Sequence, residues 1–259
     1  MNSFINETED GKNYLIEDIL ADGACFYRAF GNSLIFLSKI DKIKDLTSIE
    51  HQKLHTIEWD MNHLKNIDDF INKMSYGNGL KIQTYLAKYI QSIAKKWIIN
   101  HYLDKMDSGE TIGECLRMTH SILNNPELKT IKDVIKYYNV WYDYFSGDKI
   151  TYNDNGKEYI LHDRWASTIE QYALSKLFQI PIFIYIDQRY DEKNDKIING
   201  LISLTKGQTI GSTRLRLISL IGQEYISESK PQIKLLYRVD NKKGLHHYMV
   251  LYPKNQKKI

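Results

Sequence analysis

From residue 180 onward the chain is built of short β-rich runs: "IPIFIYI" at 180–186, "LISL" at 201–204, "LRLISLI" at 215–221, "IKLLYRV" at 233–239 and "LHHYMVLY" at 245–252. Runs of this length and composition read as strands, and the first, apolar on both alternating sets, reads as a strand buried on both faces. Five candidate strands crowded into the last third of a chain must share one sheet or leave their edges exposed. Everything before them reads differently. From Cys25, the apolar positions Phe26, Ala29, Phe30, Leu34 and Leu37 recur at helical spacing. Residues from about 47 to 146 carry further helical stripes, Leu86–Ile90–Ile93–Trp97 and Ile131–Val134–Ile135–Tyr138–Trp141–Tyr142–Phe145, the second opening after Pro126 and stopping near Gly147. "NDNG" at 153–156 is a hairpin turn signal, and "DRWASTIEQYALSKLF" is a helix expected to bury Trp165, Ile169, Ala173 and Leu177 before it enters the first long strand. The expectation is an α+β fold with a mostly C-terminal sheet, in a single domain over residues 1–259 with a helical insertion at about 47–146.

Two cysteines without a CxxC pair form neither a disulfide framework nor a zinc site, and free thiols suit a reducing compartment. The opening "MNSFINETEDGKNYL" lacks the basic-then-apolar pattern of a signal peptide, and no window is apolar enough to span a bilayer. With 35 basic and 32 acidic side chains interspersed, there is no electrostatic footprint for nucleic acid. A soluble intracellular protein is expected, with no metal or organic cofactor.

Chemistry concentrates in "DGACFYRAF" at 22–30. Cys25 stands at the first turn of a helix, where unpaired backbone N–H groups and the positive end of the helix dipole stabilise a thiolate. The same donors, with the Gly23–Ala24 turn, suit the oxyanion of a tetrahedral intermediate. Taken alone, the pattern equally describes a buried helix-start cysteine acting as a small hydrophobe. Cys115, in "TIGECLRMTH", has no such turn before it and reads as structural.

Of the eight histidines, His51, His55, His63, His101 and His120 lie in the polar helical stretch and His162 precedes a helix. His246 and His247 instead sit in a strand-like segment, where period two puts them on opposite faces, so only one of them faces a given nucleophile.

Three segments, in this order along the chain, resemble the ovarian tumour (OTU) family of cysteine proteases, which are deubiquitinases. "DGACFYRAF" is similar to the family's Asp-Gly-x-Cys-x-aromatic-Arg nucleophile motif, "DRWASTIEQYALSKLFQIPIFIY" to its Trp-containing helix and central strand, and "HHYMVLY" to its terminal His-aromatic motif. The resemblance covers the first forty residues and about 160–253. It implies a papain-like OTU fold with Cys25 as nucleophile, His247 as general base and Asp22 counted with the catalytic set. It also implies ubiquitin or polyubiquitin as partner, isopeptide hydrolysis as the reaction and a cytoplasmic site of action, in a host cell if the chain is a viral protein or bacterial effector. The long helical insertion resembles that of effector members. Two positions depart from the pattern. Met249 stands where many members place an Asp or Asn to orient the histidine, and Ala166 follows Trp165 where Gly is common. Two alternatives remain beside the protease: a catalytically silent ubiquitin-binding module, and a thiol acyl hydrolase or acyltransferase with another substrate.

Overall fold

The computed structural model describes residues 8–20, 23–37, 67–121, 130, 132–133, 150–154, 157–161, 166–191, 196–199, 214–227, 231–240 and 245–254. Asp22, Trp165, the run at 201–204 and most of the stripe at 131–145 lie outside these residues. The described part is a mixed α+β structure. Its helices are α1 (Cys25–Phe36), α2 (Ile67–Ser75), α3 (Gly77–Asn100), α4 (Ile112–Ser121) and α5 (Thr168–Phe178). Its strands are β1 (Thr8–Asp10), β2 (Tyr14–Glu17), β3 (Ile150–Asp154), β4 (Lys157–Leu161), β5 (Ile182–Asp191), β6 (Lys196–Asn199), β7 (Arg214–Ile221), β8 (Ile233–Asp240) and β9 (Leu245–Pro253). Among the described residues no helix is long and apolar enough to cross a membrane.

The main sheet runs β1-β7-β5-β8-β9-β2, with β6 paired to the far end of β5. All neighbours are antiparallel except β5 and β8, which are parallel. Strands β1 and β2 were not anticipated from sequence, and they sit on opposite edges of the sheet although only Gly11–Asn13 separate them. In a flat sheet the two edge strands would stand roughly 24 Å apart at about 4.8 Å per strand. Four residue steps reach at most about 14 Å. The sheet therefore has to curl until its edges approach, and the curl encloses a second, smaller core of Tyr14, Ile16, Phe183, Tyr185, Leu215, Leu217, Leu236, Met249 and Leu251. A polar tie crosses this interior: Lys234 Nζ on β8 pairs with Glu9 Oε1 on β1 at 2.7 Å and donates to the Tyr14 hydroxyl at 2.8 Å, while the Tyr185 hydroxyl on β5 donates to Glu9 Oε1 at 2.7 Å.

The larger core lies on the convex side and is organised around α1. Every residue from Cys25 to Ile35 is buried, so α1 is a central helix rather than an amphipathic surface one. Phe30 packs edge-on against Phe178 of α5 with centroids 5.5 Å apart, and Phe36 lies 4.6 Å from Tyr252 of β9. Gly31 lets α3 approach closely: a Cβ there would stand 3.1 Å from both Leu86 and Ile90 side chains. Arg28, buried in the same helix, donates to Thr84 Oγ1 of α3 at 2.7 Å. The expected helical insertion is thus not a detached lobe, since α3 shares one core with α1 and the sheet.

Two expected core stripes shift. On α3 the fully buried line is Leu86, Ile90, Ala94 and Ile98, while Ile93 and Trp97 flank it, Trp97 stacking on His101 at 4.3 Å. In α5 Ile169 and Ala173 are buried as expected, but the face turns through Leu174 to Phe178, which meets Phe30, and Leu177 is left 38 % exposed at its rim. A capping box at Ser167 and Glu170 starts α5, with Ser167 N–H donating to Glu170 Oε2 at 2.7 Å. The "NDNG" expectation holds: β3 and β4 pair antiparallel, Asp154 opposite Lys157 across a two-residue connection.

Candidate active site

Three elements converge at one end of the curled sheet. Cys25 is the first residue of α1, so its side chain lies among the first-turn N–H groups that have no intrahelical acceptor. It is buried, as are Gly23 and Ala24 in the turn before it. His247 comes from β9 and is 9 % exposed. Asp18 follows β2 directly, and its Oδ1 lies 2.9 Å from His247 Nε2.

That contact fixes the tautomer. With Nε2–H donating to the carboxylate, the neutral ring carries its lone pair on Nδ1, the nitrogen able to accept a proton. Nδ1 is buried and has no hydrogen-bond partner of standard geometry, while Cys25 is the second side chain acting on the ring. Burial opposes charge on the imidazole. The Asp18 hydrogen bond, the neighbouring Cys25 and the charge of Asp18 outweigh burial, and the His247 pKa is pushed up to about 9. The ring is thus protonated at neutral pH beside the helix-start Cys25. Cys115 has the opposite environment: partial burial, then Glu110 and Glu114, push its thiol up, away from the reactive form.

Aromatic side chains cluster beside His247. Tyr248, next to His247 on β9, sits edge-on to Phe26 at 5.2 Å and against Tyr237 of β8 at 4.8 Å, its register partner. Gln171 Nε2 of α5 donates to the Tyr248 hydroxyl at 2.9 Å, so the helix after Trp165 steadies the strand that carries His247. Burial, and secondarily Cys25, raise the Tyr237 pKa.

The structure brings together Cys25, His247 and the Gly23–Ala24 turn. Asp22 and the side chain of His246 lie outside the described residues. Asp18 and Tyr237 were missed. Met249 is explained by the curl: it is packed in the inner core with Tyr14 and Leu236, where a carboxylate would be stranded. Its orienting task falls to Asp18, from a strand whose pairing with β9 the sequence did not announce. The available signal was alternation in "YLIED", which puts Asp18 in phase with Tyr14 and Ile16. Among the described residues no group of three or more His, Cys, Asp or Glu side chains is arranged to hold a metal ion.

Two substitutions separate what Asp18 supplies. Asp18→Asn keeps an acceptor for Nε2–H but removes the anion, so the His247 pKa falls from about 9 and the alkaline limb of the rate profile moves to lower pH. The Asp18 side chain is 44 % exposed, so solvent screens part of its charge and the rate loss near neutrality is small. Asp18→Ala removes the acceptor as well and lowers turnover by about 10- to 100-fold. Turnover against pH for both variants checks this. No protein-family model matches the chain, and no curated protein matches it.

Proposed function

We propose that this chain is an OTU-like cysteine isopeptidase that cleaves the bond between the C-terminal Gly of ubiquitin and a lysine side chain. The observation that carries the reading is the hydrogen-bonded Asp18–His247 pair set against Cys25 at the start of α1. In the reaction the Cys25 thiolate attacks the Gly carbonyl carbon, forming a C–S bond and an oxyanion stabilised by N–H donors of the Gly23–Ala24 turn and the first turn of α1. His247 then transfers its Nδ1 proton to the lysine nitrogen, the C–N bond breaks, and a thioester to Cys25 remains. A water molecule, giving a proton to Nδ1, attacks the thioester. The C–S bond breaks, regenerating the thiolate–imidazolium pair and releasing the ubiquitin C-terminal acid, which gives its proton to solvent to become the carboxylate.

Burial supports this substrate class. Cys25 is only 4 % exposed, a burial in keeping with a substrate whose reacting end is slender, such as a Gly-Gly tail. The silent-module alternative rested on Met249, and Asp18 supplies an orienting group that weakens it. The test is a panel of diubiquitins, one per linkage. Hydrolysis of at least one is expected. Binding without hydrolysis would make the chain a ubiquitin-binding module, and turnover of other thioesters alone would make it an acyl hydrolase.

A second prediction concerns where ubiquitin rests. The helical region of residues 67–121 exposes Tyr76 and Leu103 in its connections and Met118 on α4, apolar anchors of the type that protein interfaces use. We expect the ubiquitin that donates the scissile carboxylate to contact this helical region. Shift mapping on labelled enzyme should perturb residues 67–121, and perturbations confined to 180–259 would contradict it.

A further inference from the structure

Glu17, the last residue of β2 and the neighbour of Asp18, is 1 % exposed. Its Oε1 accepts from Asn32 Nδ2 at 2.8 Å and its Oε2 from the Tyr252 hydroxyl at 2.6 Å. Asn32 and Tyr252 are themselves fully buried. Each of the three belongs to an element that carries one member of the site. Glu17 adjoins Asp18, Asn32 lies about two turns beyond Cys25 on α1, and Tyr252 lies on β9 with His247.

Polar groups are expensive at this depth, and apolar residues of the same size would fill the junction at lower cost. Asn32 makes the point sharper, because its Oδ1 is buried without a hydrogen-bond partner. Unlike apolar contacts, which tolerate sliding, hydrogen bonds to the two oxygens of one carboxyl group fix helix and strand against β2 in distance and direction. We propose that Glu17 is a positioning residue that locks α1, β9 and the end of β2 in the one register where Cys25, His247 and Asp18 meet. The catalytic meaning of this register rests on the proposed function, but its geometry is tested on the imidazole itself.

The titratable groups acting on His247 are Asp18, after β2, and Cys25, on α1; Arg238 of β8 is its cross-strand partner. If the register is lost, both groups withdraw from the ring together. The experiment follows the His247 ring by NMR through a pH titration, and Cys25 alkylation by iodoacetamide at pH 7, in three variants shown folded by their amide spectra. Glu17→Gln keeps an acceptor for Asn32 and a polar partner for Tyr252, and is expected to titrate near the wild-type value of about 9. Glu17→Met fills the same volume without either bond. Its His247 midpoint should fall toward 6.5, and its alkylation should slow by about tenfold or more. Tyr252→Phe removes one donor and keeps the ring, giving a smaller shift in the same direction, and it decides the matter if Glu17→Met does not fold. A folded Glu17→Met, or failing that Tyr252→Phe, with an unmoved midpoint and unchanged alkylation would make Glu17 a structural residue only. A Glu17→Gln that titrates like Glu17→Met would assign the effect to charge and overturn the positioning role. Should the wild type cleave no ubiquitin substrate while these shifts appear as expected, the isopeptidase reading falls and this one stands.

Discussion

Cys25→Ala is expected to lower ubiquitin-isopeptide turnover by at least about 10⁴-fold while leaving the fold intact. The substitution removes a single sulfur from a site where the thiol makes no structural bond, and Ala is a good residue for the first turn of a helix. A folded, inactive protein that still binds ubiquitin is therefore the expected result. Cys115→Ala should leave turnover unchanged, because that thiol is held in its protonated form by burial and by Glu110 and Glu114. Kinetics of the two variants on one diubiquitin, with circular dichroism as the folding control, check both statements. Retained turnover in Cys25→Ala would overturn the assignment.

His247→Ala is expected to cost about 10³-fold or more, since it removes both the proton acceptor and the cation that sustains the thiolate. His246→Ala should cost less than about tenfold, because it is His247 that bonds Asp18 and takes its raised pKa from Asp18 and then Cys25. Equal losses would mean that the two rings share the work. The same residue links stability to pH. Folding raises the His247 pKa from 6.5 to about 9, so its protonation contributes stability that is fully present below about pH 6.5 and fades as pH rises through about 9. Thermal unfolding of wild type and His247→Ala across that window should converge at high pH, apart from any constant packing loss.

Cys25 and His247 were legible because each is marked by its immediate neighbours: a Gly-containing turn before a helical stripe, and a β-rich run with an aromatic after the histidine. The C-terminal strands β5, β7, β8 and β9 were legible for the same reason, their character being carried by consecutive β-branched and aromatic residues. Asp18 was not, because its role depends on β2 pairing with β9, Glu17 opposite Val250, across almost the whole chain. Nothing local in "YLIED" says which strand it will meet. The curl was equally hidden. It follows from β1 and β2 occupying opposite edges with three residues between them, a topological fact that propensity cannot encode. Met249 shows the consequence: read locally it was a missing catalytic partner, whereas in the folded chain it belongs to the core that the curl creates. Leu177 misled in a milder way, because i, i+4 spacing fixes a stripe but not its centre, and Phe178 sets the centre by meeting Phe30.

The central claim is that Cys25, activated by His247 and Asp18, attacks the carbonyl at the ubiquitin C-terminus. Ubiquitin carrying an electrophile in place of its terminal Gly carboxylate tests this most directly. Incubation with the wild-type protein should give a stable adduct heavier by one ubiquitin, with the modified peptide containing Cys25. The adduct should be absent in Cys25→Ala and much slower to form in His247→Ala. An adduct mapped to Cys115, or none at all from a folded protein at ubiquitin concentrations that saturate binding, would contradict the account.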